Sequence, residues 1–414
     1  MIEADSECRR LAGFARPSAA SPAGFWWLDE SGRPDPAEPV HTWITARMTH
    51  VFALAHLRGD LPGSEAASLA AHGIRALSGA LRDDELGGWY ASVSAEGEPV
   101  DTLKEAYAHA FVILAASSGV AAGVPGADAL LDEALGVMQQ HFLDDSGRVV
   151  DSLERDLRSG EAYRGANSSM HTVEAFLAVG DVTGDATWHL RALAIAEHLI
   201  HGVARAHGYD LPEHFDLSWS PLPDYNADRP GDPFRPYGCT PGHLLEWSRL
   251  LLHLDASLPD GPSWLVEDAR ALFARAVEVG WVDSGDGPGF VYTTSWDGTP
   301  VTRLRLHWVA AEALAAAGAL HTRTGETGYD EWRQRFEAYI ETHLIDRELG
   351  SWHHELDEHN RPSHVIWHGK PDVYHAYQAL LLARMPLAPV LSVQLARPGE
   401  GQAAWNDRRE SPRP

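Results

Sequence analysis

The sequence predicts an all-α fold, an (α/α)6 barrel in which helical hairpins close into a toroid with a long lid-like loop. Three observations predict it. Apolar residues recur at helical spacing in paired segments, and Pro, Gly or Asp stands at nearly every joint. Arg47, Tyr107, His171, His243, Trp308 and His375 recur at intervals of roughly 60 to 70 residues, a long internal period of the kind that repeated architectures leave. Each of them falls in the first helix of a pair, mostly near its start. Closing the pairs into a ring therefore aims equivalent helix starts at one shared mouth.

Taken in order, residues 4–16 form a short first helix, and Phe25-Trp26-Trp27-Leu28 with Asp29-Glu30-Ser31-Gly32 reads as a strand and turn. Helical periodicity begins at about His41 and runs through Trp43, Ile44, Arg47, Val51 and Leu54. Pro62-Gly63 breaks it, a second helix runs to about Leu81, and Gly87 to Val93 is a short extended piece. The next pair is 102–118 and a helix to about Phe142, broken at Pro125-Gly126. Then come 168–182 with 186–203, 242–256 with 263–280, and 303–322 with 327–344. A last helix at 372–384 pairs with the first and closes the ring, so residues 1–396 read as one domain.

Two segments break the rhythm. Residues 205–241 carry Pro212, Pro221, Pro223, Pro230, Pro233, Pro236 and Pro241 and no helical period. A loop this long inside a compact domain is usually functional. It ends directly at His243, so it reads as a lid rather than a surface-packed loop. The tail 397–414, with Arg397-Pro398-Gly399-Glu400-Gly401, reads as disordered.

Of the 414 residues, 44% are hydrophobic and 22% charged, enough for a large core. The formal net charge of −26 is spread along the chain, which argues against nucleic acid and anionic membrane as partners, since phosphate binding needs a basic face. The start of the chain lacks the basic and apolar regions of a secretory signal, and no apolar run is long enough to cross a bilayer. Cys8 and Cys239 make no disulfide framework, and a reduced cytoplasm is the simplest address. A homo-oligomer is compatible with the sequence, which does not define oligomeric state.

The chemistry sits on the helix starts. Asn167, His171 and Glu174 share one helical face, and His243-x-x-Glu246 repeats the design. Each pair alone reads equally well as a satisfied core polar group. Metal is the weaker reading: di-iron bundles use Glu-x-x-His, zinc proteases use His-Glu-x-x-His, and His353-His354-Glu355 has no clear partner spacing. No phosphate loop or dinucleotide fingerprint appears, so neither metal nor nucleotide cofactor is expected. A glycoside hydrolase needs two carboxylates, for which Glu246 and Glu312 are candidates. The helix starts are richer in His than in acids, and His suits proton transfer on and off carbon near neutral pH. That favours sugar isomerisation or epimerisation over hydrolysis or a non-catalytic binding barrel.

At these residues the chain resembles the N-acylglucosamine 2-epimerase and cellobiose 2-epimerase superfamily. The resemblance lies in His41 to Met48, Gly87-Gly88-Trp89-Tyr90, Tyr163-Arg164-Gly165 with Asn167 and Met170-His171, and Asn226. It continues in Thr240-Pro241-Gly242-His243 with Glu246-Trp247, and in Gly369-Lys370 with Asp372 and Tyr374-His375. Within the family it looks most like an aldose–ketose isomerase branch that interconverts D-mannose and D-fructose without metal or nucleotide. The resemblance implies that His243 and His375 are catalytic, one opening the ring and one moving a proton between C2 and C1 through a cis-enediol(ate). It implies that Arg47 steadies the enediolate, that Asn167, His171, Glu246 and Glu312 bind hydroxyls of a hexose, and that Tyr107 and Trp308 shape the pocket. A 2-epimerase of mannose or glucose is the alternative within the family. Relatives acting on a sulfonated sugar are similar in using Arg and Gln near the sulfonate, where Pro233, His354 and Pro371 stand here in approximate register, so a neutral hexose is expected. Many relatives read Asn-x-Asn where this chain has Asn167-Ser168-Ser169.

Overall fold

The computed structural model describes residues 2–283 and 287–396. The tail expected to be disordered, 397–414, lies outside the described residues. An inner ring is built from α2 (Thr42–Arg58), α4 (Ala106–Ala121), α6 (Ala166–Thr183), α8 (Pro241–Ser257), α10 (His307–Thr324) and α12 (Tyr374–Leu382). Each packs on the next, and α12 returns to α2. Outside them lie α3 (Glu65–Leu77), α5 (Ala127–Val137), α7 (Thr187–Ala196), α9 (Trp264–Gly280) and α11 (Thr327–Tyr339), each against the inner helix that precedes it. α1 (Ala4–Ala15) backs α12, so the first and last helices of the ring make its sixth hairpin, as the sequence predicts.

Side-chain pattern separates the layers. α4 buries every residue from Ala108 to Gly119, whereas α3 buries one stripe, Ala66, Ala70, Gly73, Ile74 and Leu77 with Ala76. A helix apolar all round belongs inside, and one with a stripe belongs outside. Each buried inner leucine, such as Leu250, Leu251 or Leu252, contributes on the order of 1.5–3 kcal/mol. The outer helices α5, α7 and α11 run on into wider π turns at Met138–Phe142, Glu197–Ala204 and Ile340–Leu344. These turns carry the helical periodicity to the ends predicted for it.

No N-cap residue of the inner helices caps its helix with its own side chain, although Asp372 Oδ1 accepts from Tyr374 N at 2.9 Å where α12 starts. Two-residue strands do that work at four of them. Val40–His41, Lys104–Glu105, Arg164–Gly165 and Arg305–Leu306 pair antiparallel with Ser92–Val93, Ser152–Leu153, His214–Phe215 and Glu355–Leu356. The first helical amides then donate onward: Thr42 to Ala91 O at 3.1 Å, Ala106 to Asp151 O at 2.9 Å, Ala166 to Glu213 O at 2.9 Å and His307 to His354 O at 3.1 Å. Orphan amides of the helix start are thereby satisfied by the loop returning from its own outer helix. The mouth of the ring is tied at each of these starts.

Two details differ from expectation. The stretch Phe25 to Trp27 joins no ladder; a single bridge links Leu28 to Pro34 around the expected turn. Also, α13 (Leu391–Ala396) packs on α2 and α4. The chain before it lies against the barrel's far end, where Val390 N donates to Asp181 Oδ2 at 2.6 Å and His253 Nδ1 to Leu387 O at 2.5 Å. Between it and the ring's centre lies a cavity of about 430 Å³, lined by His50, Glu174, Arg249, His253 and Gln378 among others.

Candidate active site

The inner helix starts converge on a cavity of about 630 Å³. Of the residues singled out from sequence, Arg47, Tyr107, Asn167, His171, His243, Glu246, Trp308 and His375 line it. Glu312 does not. It stands one layer deeper, 1% exposed, behind His375. Its carboxylate contacts that histidine rather than the cavity.

Both candidate histidines present one ring nitrogen to the cavity and turn the other to a carboxylate. His375 Nδ1 donates to Glu312 Oε1 at 3.0 Å. His243 Nδ1 lies 3.0 Å from Glu213 Oε1, but out of line for a hydrogen bond, and neither atom has another partner. Trp308 touches both imidazoles, with centroids at 5.2 Å from His243 and 5.9 Å from His375. Its place depends on Gly242: a Cβ there would sit 2.4 Å from the indole ring. Burial, then the charges of Arg47 and His307, push His375 well below the ordinary histidine value, so it is neutral.

Arg47 enters from α2. It donates to Tyr107 OH at 2.6 Å and pairs with Asp372 at 3.3 Å, and its guanidinium lies over Phe111 and Tyr374. Burial opposes its charge, but Tyr107 and Asp372 hold its pKa above the usual value. Nε of Arg47 is buried without a partner. The amide of Asn167 makes no hydrogen bond among the described residues. Lys370, fully buried, donates to Asp346 Oδ2 at 2.6 Å and Gly350 O at 2.8 Å, fixing the entry to α12 just before Asp372 and His375. Lys104 repeats this with Asp83 and Gly87 ahead of Tyr107.

The acids are unequal. Burial, then the nearby Glu312 charge, raises Glu246 well above its ordinary value, and it faces the cavity. Burial alone would raise Glu174 as well, but hydrogen bonding from His171 and the charge of Arg249 hold it well below. His171, driven down to about 4 chiefly by burial, has Nδ1 at 3.3 Å from Glu174 and 3.8 Å from Glu246. The two His-x-x-Glu repeats thus resolve differently, because His243 turns to Glu213 while Glu246 turns to His171. The triplet His353-His354-Glu355 does not gather either. The Glu355 carboxylate accepts from Ser363 Oγ and from the amides of Val365, Ile366 and Trp367.

The segment 205–241 roofs the cavity. Phe234 stands among Trp43, Tyr107 and Trp367, with centroids 5.5 to 5.9 Å away. Pro233 and Pro236 flank it on the cavity wall. Arg235 secures the roof through Asp151 at 2.8 Å and through Glu161. Sequence reasoning gave no site role to Glu213, Phe234, Tyr292, His307 or Trp367. Glu213 and Phe234 lie in the segment without periodicity, where charge next to an apolar run was the available signal. His307, adjacent to Trp308, lines the cavity with a buried, unpartnered Nε2 and stacks on His354 at 3.8 Å.

A toroid whose mouth joins two carboxylate-backed histidines, an arginine and aromatic walls is an enzyme of the sugar epimerase and isomerase class. The profile of the N-acylglucosamine 2-epimerase (GlcNAc 2-epimerase) family matches residues 24–379, and the chain belongs to that family. It is 52% identical over 398 residues to a D-mannose isomerase of Thermobifida fusca, covering 95% of this chain and 97% of that protein. A D-mannose isomerase of Pseudomonas cannabina pv. alisalensis is 51% identical over 395 residues, covering 94% of each. The crystal structure of a D-mannose isomerase superposes with a TM-score of 0.84 at 28% identity, over 91% of this chain and 96% of that one. Among the described residues no helix is long and apolar enough to cross a membrane.

Proposed function

We propose that this enzyme interconverts D-mannose and D-fructose, acting as a single barrel over residues 1–396 without metal or nucleotide. The observation that carries the reaction type is the pair of histidines, each with a free Nε2 on one cavity and a carboxylate behind it. The named activity of the two relatives near half identity carries the sugar. His375 is the carbon base. It is neutral, and Arg47, whose charge acts on it most strongly after burial, stands ready for the anion that deprotonation creates. The C2 proton passes to His375 Nε2 as the C–H electrons form the C1=C2 enediolate. Arg47 stabilises the charge on oxygen, the O2 hydroxyl proton passes to O1, and the carbon-bound proton returns at C1 as O2 becomes the carbonyl of the ketose. Such a fixed donor is worth about 10²–10³ in rate. His243, opposite across Trp308, assists ring opening by proton transfer at the ring oxygen and the anomeric hydroxyl. Asn167, His171 and Glu246 hold hydroxyls, while Tyr107 and Trp308 shape the walls.

Pro233, His354 and Pro371 all line the cavity. They present no cation to a sulfonate, His354 being driven well below its ordinary value by burial, then by His307. A neutral sugar fits that wall. Hydrolysis fits poorly, since Glu312, one of its two candidate carboxylates, is buried behind His375. Incubation with D-mannose followed by chromatography tests the reading, with fructose as the expected product. Glucose as the main product would make the enzyme an epimerase, and cleavage of an oligosaccharide without turnover of free hexoses would make it a hydrolase. Dialysis against a strong chelator is expected to leave turnover unchanged.

A further inference from the structure

Arg249 lies on α8, one turn beyond Glu246, 2% exposed and outside the lining of the substrate cavity. Its Nε donates to Glu312 Oε2 at 2.9 Å, and its Nη2 faces Glu246 Oε1 at 3.3 Å and Glu174 Oε1 at 3.5 Å. Those carboxylates are the ones that reach His171 and His375. Ligand atoms of His171, Glu174 and Glu246 lie within 4.8 Å of one another, and so do those of Glu246, Glu312 and His375. Four inner helices, α6, α8, α10 and α12, thus bring three carboxylates and two imidazoles around one centre. Helical bundles use this donor set for transition-metal dications. Here a guanidinium is bonded to it.

We propose that Arg249 is the resident cation of this carboxylate–imidazole cage, and that its guanidinium holds closed a site that takes one divalent transition-metal ion once it is removed. One positive charge does not match three carboxylates. Part of the remainder is met by donors: Tyr374 OH and Gln378 Nε2 donate to Glu174. A dication in place of the guanidinium supplies the missing charge, with Glu246 among its ligands. The far cavity gives it room, since Arg249 and Glu174 both line that space. In the native enzyme Arg249 acts through the carboxylates it holds. It is a positioning residue that orients the His171 and His375 rings.

The test is Co²⁺ binding to the full-length chain, read by visible d–d absorption and by thermal melting. Arg249→Ala is expected to bind one Co²⁺ per chain, roughly 100-fold or more tighter than the native enzyme, with a higher melting temperature in the metal. Arg249→Lys, which keeps the charge, is expected to bind no better than native. Adding Glu246→Gln to Arg249→Ala is expected to abolish the site. A folded Arg249→Ala that binds no more tightly than native, or a double variant that binds as well as the single one, overturns the proposal. Should Arg249→Ala fail to fold, it is refolded with Co²⁺ present. Recovery supports the proposal, and failure with and without metal overturns it. The readout needs no turnover, so its outcome is separate from the question of which sugar is converted.

Discussion

The two histidines of the site sit in opposite kinds of support. On the α10–α12 side, Glu312 is bonded to His375 and to Arg249, and Arg249 in turn reaches Glu174 and Glu246. On the α8 side, under the roof, the Glu213 carboxylate faces His243 at 3.0 Å and has no hydrogen bond among the described residues. The first pair is part of a closed network whose members lose much if one is removed. The second is a buried carboxylate standing against one imidazole. The same residue pairing can therefore serve as structure on one side of a cavity and as a nearly pure electrostatic device on the other.

The largest expected effect is common to both sides. His243→Asn and His375→Asn each lose about 10²- to 10⁴-fold in turnover with unchanged circular dichroism. Near-native turnover in both would remove the proton-transfer mechanism. The comparison itself is tested by charge-neutralising variants. Glu312→Gln breaks a buried ion pair and is expected to cost on the order of 3–5 kcal/mol in denaturant unfolding. Glu213→Gln is expected to leave the unfolding midpoint unchanged or higher, since it removes an unbonded buried charge, while turnover falls on the order of 100-fold or more. Equal destabilisation by the two would show the supports to be alike.

A smaller effect concerns pH. Burial drives His50, His171, His253 and His307 down to about 4 in the fold. Unfolded, they titrate near 6.5, so the unfolded chain binds more protons in between, and stability is full above 6.5 and lost as pH falls toward 4. Glu105, raised to about 7, and Glu246 act with the opposite sign, gaining stability as pH falls to the ordinary carboxylate value. The lowered histidines, with His41, His109, His354 and His375 added, outnumber the raised carboxylates even with Asp151 and Glu312 added, which leaves a net loss, on the order of 1.4 kcal/mol per pH unit for each uncompensated group. Melting temperature is expected to fall between pH 6.5 and 4.5, and a flat profile would mean the histidines are not held neutral. Smallest is the roof. Phe234→Ala forfeits aromatic contacts worth about 0.5–1.5 kcal/mol each, so KM for mannose is expected to rise up to roughly 10-fold with kcat little changed.

The sequence made the ring readable because inner helices bury every face and their polar landmarks recur at one period. It made the cavity residues readable where a histidine or arginine interrupts an apolar helix start. It hid what depends on contact across the ring. Arg249 precedes Leu250-Leu251-Leu252, and a charge in that run needs partners, but its partners lie on α6 and α10 as well as on its own helix. Glu213 is invisible for the same reason. Its carboxylate faces His243, on a different element. Two local signals were present and unread. Asp83 to Trp89 and Asp346 to Trp352 repeat Asp-x-Glu-Leu-Gly before a tryptophan. Asp29, Asp144, Asp216 and Asp357 each accept the amides two and four residues on, marking the return-loop turns.

The hairpin formed by α1 and α12 sets a timing problem for the ribosome. α1 emerges well before its partner, with Cys8, Leu11, Ala12 and Ala15 destined for burial, and that partner begins at Tyr374. At about 5–20 residues per second, some 20–70 s of synthesis separate the two. Five hairpins can form from neighbours in the chain, but the helix that carries His375 gains its outer support only when an early segment meets a late one. The nascent protein thus holds α1 unpaired longest, and its catalytic competence arrives with the final closure.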